Sequence, residues 1–212
     1  MRRDRAVGRV LRSGRANSGA ERGADWYDDA YAKSSEYKTP YFHSRYYPIW
    51  AVIVDRVRRP GLQRVMEVGC GGGQLASYLI EQGQLRSYMG VDFSPVAIEI
   101  AREQAPTGTF VVGDALDPRS YDRECDFIVC TEMLEHIADD LRVISLFPPG
   151  IRCLCTVPDF PYRSHVRHFM SVEAVVERYG SAFADLDVTV FKAAGPRRNP
   201  LLRYFLMDGV RT

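Results

Sequence analysis

From residue 64 onward, short runs of apolar and β-branched residues alternate with longer stretches whose apolar positions recur every three or four residues. The short runs fit strands and the wider spacing fits helices with one buried face, so the order predicts βαβ units around a parallel sheet. The first strand is predicted over 64–68 and runs into Gly69-Cys70-Gly71-Gly72-Gly73. Residues 74–82 then place Leu75, Tyr78 and Leu79 on one side and stop at Gly83, as a helix with its C-terminal cap does. A second strand over 88–91 ends at Asp92, after which Ser94 and Pro95 supply an N-cap and a first helical residue for a helix to about residue 104. Third, fourth and fifth strands are predicted over 110–112, 126–130 and 153–157. Between the last two, Met133, Ile137, Leu141 and Ile144 predict a helix from Glu132 until Pro148-Pro149-Gly150. A helix near 172–179 leads to two alternating segments, 186–191 and 203–207, suited to an antiparallel pair at the sheet edge.

With 212 residues, 46% of them hydrophobic, the chain has enough material for one well-buried core and too little for two ordinary domains. Nine of the 24 aromatic residues fall between Trp26 and Trp50, a density that suggests a cover packed over something. The expected organisation is therefore a disordered basic tail over 1–24 and a single domain over 25–212, with 25–60 as its N-terminal helical and aromatic cover. Charge follows the same division. Residues 1–24 hold a surplus of five positive charges, which leaves the body with four net negative ones in a chain of overall charge +1. A mildly acidic body argues against a nucleic-acid footprint, since phosphate contacts need clustered Lys and Arg. No apolar run is long enough to span a bilayer, and the start lacks a secretory core, so no membrane partner is expected. Five Cys without a CxxC pair point to a reducing, cytoplasmic setting.

A glycine-rich turn after the first strand lets backbone approach a ligand closely, and its spacing narrows which ligand. Dinucleotide sites need a glycine where this chain has Gln74, and the GK[ST] of a P-loop is absent. Glu67, just before the turn, repels pyrophosphate and suits a cationic amino group instead. Asp92 ends the second strand, where a carboxylate accepts from ribose hydroxyls. Asp114 follows the third, positioned to accept from an adenine amino group, and Glu132 follows the fourth. In an open α/β sheet these strand ends form the ligand site. An amine, a ribose and an adenine without phosphate describe the ligand.

At this point the chain resembles the class I methyltransferases that use S-adenosylmethionine, of the small single-domain, ubiquinone-pathway-like type. The resemblance rests on residues 67–73, Val91-Asp92-Phe93-Ser94, Gly113-Asp114-Ala115 and Thr131-Glu132-Met133-Leu134-Glu135-His136, and covers roughly residues 60–210. It implies a Rossmann-like, doubly wound sheet of seven strands, mostly parallel with an antiparallel C-terminal strand, and helices on both faces. It also implies S-adenosylmethionine as cofactor and S-adenosylhomocysteine as product. Glu67, Gly69, Cys70, Gly71 and Gly73 would hold the methionine part, Asp92 and Phe93 the ribose side, and Asp114 with Ala115 the adenine, with Glu132 completing the cofactor set.

Methyl transfer to a hydroxyl needs alignment and a proton acceptor. Of four His, His136 is the expected base because it follows the fourth strand beside the cofactor pocket, with Glu135 and His165 as its catalytic companions. Glu132, Glu135 and His136 at i, i+3 and i+4 would share one helical face. That element also resembles the metal site of small-RNA 2′-O-methyltransferases and of some ubiquinone-pathway enzymes, with His165 or His168 as a fourth ligand. The metal-free reading is the working expectation. The expected function is methylation of a hydroxyl or amine on a small-molecule acceptor, in secondary-metabolite or saccharide biosynthesis. The alternatives are the metal-assisted RNA enzyme and a cofactor-binding partner subunit without catalysis.

Overall fold

A computed structural model describes residues 19–58, 63–194 and 201–212. Seven strands form one sheet in the order β3-β2-β1-β4-β5-β7-β6. They are β1 (Arg64–Val68), β2 (Ser87–Asp92), β3 (Thr109–Val112), β4 (Phe127–Thr131), β5 (Arg152–Pro158), β6 (Phe183–Ala194) and β7 (Leu201–Arg211). Strands β1 to β5 pair in parallel, while β7 lies antiparallel between β5 and β6. This is the Rossmann-like architecture expected from the alternation.

Alternate residues of the central strands feed two cores, as a pleated strand buried on both sides requires. On one face Val65, Val129, Leu154 and Leu206 meet α2 (Tyr47–Arg58), α3 (Gln74–Gln82) and α4 (Pro95–Gln104). On the other face Met66, Ile128, Cys155 and Phe205 meet α5 (Asp140–Leu146) and α6 (Val172–Tyr179). Helix α2 shows why it docks: Ile49, Trp50, Ile53, Val54 and Val57 are buried at helical spacing. Truncation of Ile53, fully buried there, to Ala would cost about 2–5 kcal/mol. Ser94 caps α4 by accepting from the Ala97 N–H, with Pro95 as the first helical residue.

Two expectations need correction. The segment after β4 is not one helix from Glu132. It forms a 3-10 turn, Leu134–His136, an extended residue at Ile137, and then α5, so Leu141 is exposed at 42%. The cause is a long-range competitor. The Arg167 guanidinium donates to the carbonyls of Leu134, Ile137 and Ala138, acceptors that a continuous helix would have used. The N-terminal boundary also shifts. Residues 1–18 of the expected tail lie outside the described residues, but Gly19 packs directly on the backbone of Tyr162 and Arg163, and the Ala20 N–H donates to the Arg163 carbonyl at 3.3 Å.

The cover begins with α1 (Ala24–Lys33) and continues through 3-10 turns at Ser35–Lys38 and Tyr41–His43 into α2. Asp28 of α1 accepts from the Ser94 hydroxyl and the Val96 N–H at the start of α4, which fastens the cover to the sheet layer. No helix among the described residues is long and apolar enough to cross a membrane.

Candidate active site

Strand order reverses beside β1: connections run outward to β2 and β3, and the chain then crosses back to β4. The carboxyl ends of β1 and β4 therefore part and open a crevice. A cavity of about 630 Å³ lies there, beneath the cover.

One wall comes from β1, β2 and β3. Glu67 is buried on β1, with one oxygen accepting from the Tyr88 hydroxyl at 2.6 Å. Burial pushes its carboxyl up to about 8, against the opposing pull of that bond. Asp92 accepts from the Gly71 N–H through one oxygen and the Ser94 N–H through the other, each at 2.9 Å. Burial raises it to about 6, and the two backbone donors hold it from going higher. Gly71 has a φ of +52°, and a Cβ there would stand 2.7 Å from the Tyr31 hydroxyl of α1. Gly69, Cys70, Phe93, Asp114 and Ala115 also line the cavity, as expected. Gly73 does not. Its φ of +81° caps α3, and a Cβ would meet the Ala101 Cα of α4 at 2.7 Å, so this glycine serves helix packing.

The opposite wall comes from the turn after β4, the 160–165 loop and the cover. Glu132 takes a left-handed φ of +52°. Thr156 of β5 holds it reciprocally: the hydroxyl accepts from the Glu132 N–H at 3.0 Å and donates to its carboxylate at 2.9 Å. Burial lifts that carboxyl to about 8, while the Thr156 bond and the Arg45 guanidinium of the cover pull it down.

Glu135, His136 and His165 converge, although not along one helical face. Their nearest ligand atoms all lie within 4.8 Å of one another. The imidazole Nδ1 of His136 bonds the Ser164 carbonyl and that of His165 bonds the Phe160 carbonyl, both at 3.0 Å. A carbonyl only accepts, so each Nδ1 carries the proton and each Nε2 is left with a lone pair. Those Nε2 atoms stand 3.6 Å and 4.0 Å from the same Glu135 oxygen. Glu135 is fully buried, and neither of its oxygens accepts a hydrogen bond. Burial first, and then the neighbouring Glu132, pushes its carboxyl well up. Burial pushes both imidazoles down, His165 to about 4 with help from His136. Three groups that each resist charge, facing one point, have room for a shared proton or a cation there. His168 lies outside this group.

Several site residues were not singled out from the sequence. Tyr27 bridges the two walls, its ring 5.3 Å from Phe93 and 5.9 Å from His136 between centroids. Arg163 lies over the Trp26 ring at 5.0 Å, and Glu21 accepts from the Ala138 N–H at 3.0 Å. Aromatic density signalled the cover that holds Trp26 and Tyr27; nothing in the local pattern signalled Arg163, Thr156 or Ser164.

Residues 65–146 match the family model described as a methyltransferase domain. A ubiquinone biosynthesis O-methyltransferase of Histophilus somni is 31% identical over 109 residues, 45% of this chain and 45% of that protein. This chain therefore spans less than half the length of that relative. The N-methyltransferase NodS of Bradyrhizobium japonicum superposes with a TM-score of 0.63 at 15% identity, covering 88% of this chain and 97% of the other. Residues 65–146 thus match a methyltransferase domain, carried on a fold that solved methyltransferases share.

The same architecture also carries other chemistry. The [4+2]-cyclase SpnF superposes with a TM-score of 0.60 at 15% identity, over 78% of this chain and 80% of that one. Shared fold thus leaves the reaction to the site. In this chain the lining residues from β1, β2, β3 and their following turns include Glu67, Asp92 and Asp114 but no Lys or Arg. Those acceptors match a ligand with a cationic amine and hydroxyls, so the residues present fit S-adenosylmethionine.

Proposed function

We propose that this chain transfers a methyl group from S-adenosylmethionine to a hydroxyl of a small acceptor bound beneath the aromatic cover. The observation that carries this reading is the placement of the Glu135–His136–His165 group on the cavity wall opposite Glu67 and Asp92. On this reading Glu67 receives the amino group of the cofactor, Asp92 its ribose hydroxyls, and Asp114 with Ala115 its adenine. When bound, the cofactor supplies a methyl group on a positively charged sulfur. His136 Nε2 accepts the proton of the acceptor hydroxyl as the oxygen–methyl bond forms and the sulfur–methyl bond breaks. Glu135 stabilises the resulting imidazolium across 3.6 Å. Tyr27 and Phe160 offer ring faces to an acceptor, and the naming of curated relatives as O-methyltransferases supports a hydroxyl over an amine.

A second reading is favoured by the orphaned Glu135 carboxylate. The same three side chains present two neutral Nε2 lone pairs and a carboxylate to one point, the donor set of a divalent cation. A cation there would lower the pKa of an acceptor hydroxyl directly, in place of a proton transfer to His136.

Calorimetry with S-adenosylhomocysteine, followed by labelled S-adenosylmethionine with a panel of phenols, polyols and amines, tests the main reading. Label on a hydroxyl supports it; no heat on a folded sample overturns it. Activity that disappears with a chelator and returns with added divalent metal selects the second reading, and activity indifferent to the chelator removes it.

A further inference from the structure

Two separate stretches of chain build the Glu135–His136–His165 group. The turn after β4 carries Glu135 and His136, and the loop after β5 carries Ser164 and His165. Distances within the group depend on how those stretches are held together, and Arg167 makes most of the connection. Its guanidinium, only 16% exposed, donates to the Leu134 carbonyl at 2.6 Å, the Ala138 carbonyl at 2.7 Å and the Ile137 carbonyl. It also pairs with Asp140 at 3.0 Å. Asp140 is fully buried and is itself fixed by Arg178 and by the Tyr179 hydroxyl of α6. Backbone bonds add to the seam, with the Val166 N–H donating to the Glu135 carbonyl at 2.8 Å and the Arg167 N–H to the same oxygen at 3.4 Å.

We propose that Arg167 is a positioning residue that sets the register between the two stretches and so fixes the tautomer of His136 and its aim toward Glu135 and His165. This rests on reading those imidazoles as part of the reactive group. The planar fork is what the task needs: it reaches three carbonyls and a carboxylate at once, which a single ammonium cannot do. His136 Nδ1 is held by a carbonyl from the other stretch, that of Ser164, so a slip of either stretch breaks the bond that leaves Nε2 unprotonated. Displacement of about 1 Å at a reacting centre costs on the order of 100-fold in rate.

Imidazole nitrogens of the full chain, observed by 15N-edited NMR, give a readout independent of any acceptor. In the unsubstituted protein His136 and His165 should show locked Nδ1–H tautomers. Arg167→Ala should give averaged tautomers for His136 while His165, held by the Phe160 carbonyl of its own loop, stays locked, with S-adenosylhomocysteine affinity within about twofold of the parent because the other wall is untouched. Arg167→Lys should fall between the two and guards against a loss of fold in the alanine variant. On whichever acceptor the parent methylates, kcat should fall about 100-fold with KM for the cofactor held. Arg152→Ala is the control: it breaks a comparable ion pair, with Asp208 at 2.8 Å, at the far end of β5, and should leave both imidazoles locked.

A locked His136 tautomer in both Arg167 variants overturns the proposal. So does the same imidazole change in Arg152→Ala, because general loosening would then explain it. Absence of S-adenosylhomocysteine binding in the parent, with its imidazoles locked, would instead overturn the cofactor reading and leave the role of Arg167 standing.

Discussion

An oxygen of the Glu135 carboxyl lies 3.6 Å from Nε2 of His136, inside a wall where that carboxyl accepts no hydrogen bond. An isolated protein does not benefit from such a pair. Glu135→Gln should therefore leave the melting temperature unchanged or raise it, since it replaces a carboxyl whose ionisation burial opposes with a neutral group of the same shape. Methyl transfer should fall by about 100-fold or more, as expected when the partner of a proton-accepting imidazole is lost. Thermal melts and initial rates on one preparation check both halves; a variant that is less stable but equally active contradicts the assignment.

Glu67 ties stability to pH in an unusual direction. Its folded pKa, about 8, lies above the ordinary 4.5, so the folded state binds the proton more tightly than the unfolded one. Its contribution to stability is full below the lower value and is lost as pH rises from there through about 8. Melting curves of the ligand-free protein should show this decline, and Glu67→Gln should flatten it.

The same carboxyl predicts proton release on binding. At pH 7 it is mostly protonated, and a cationic amino group arriving beside it expels the proton. Titration calorimetry of S-adenosylhomocysteine in buffers of different ionisation enthalpy should register net release that Glu67→Gln removes. Net uptake would place the amino group elsewhere.

Asp92 and Gly73 separate binding from folding. Asp92→Asn replaces the charged acceptor offered to the ribose hydroxyls by an amide, at a cost of about 2 kcal/mol in binding, or roughly 30-fold in cofactor affinity. Gly73→Ala should instead lower stability by about 1–3 kcal/mol through its φ of +81° and its contact with Ala101. Cofactor affinity of the folded fraction should hold. Loss of affinity without loss of stability would return Gly73 to the ligand site.

Most strands were legible because each is a short apolar run closed by Gly, Pro, Asp or Ser, and α3, α4 and α6 because cap and periodicity agree. Carboxylates at strand ends were legible as one wall of the cavity for the same reason: a parallel sheet delivers them to one edge. The turn at Leu134–His136 was not legible. Its periodicity is helical, and the helix fails because Arg167, 30 residues beyond Ile137, takes its carbonyls. Nor does the sequence decide between His165 and His168 as the partner of Glu135; the fold brings His165 to it.

The two walls of the cavity are drawn from different parts of the chain, one from the β1–β3 half and the other from the cover and the segments after β4 and β5. Variation can therefore accumulate in the recognition of acceptors while the grip on the shared coenzyme stays fixed. Exchange of residues 19–50 and 160–165 between homologues should retarget this scaffold without rebuilding it.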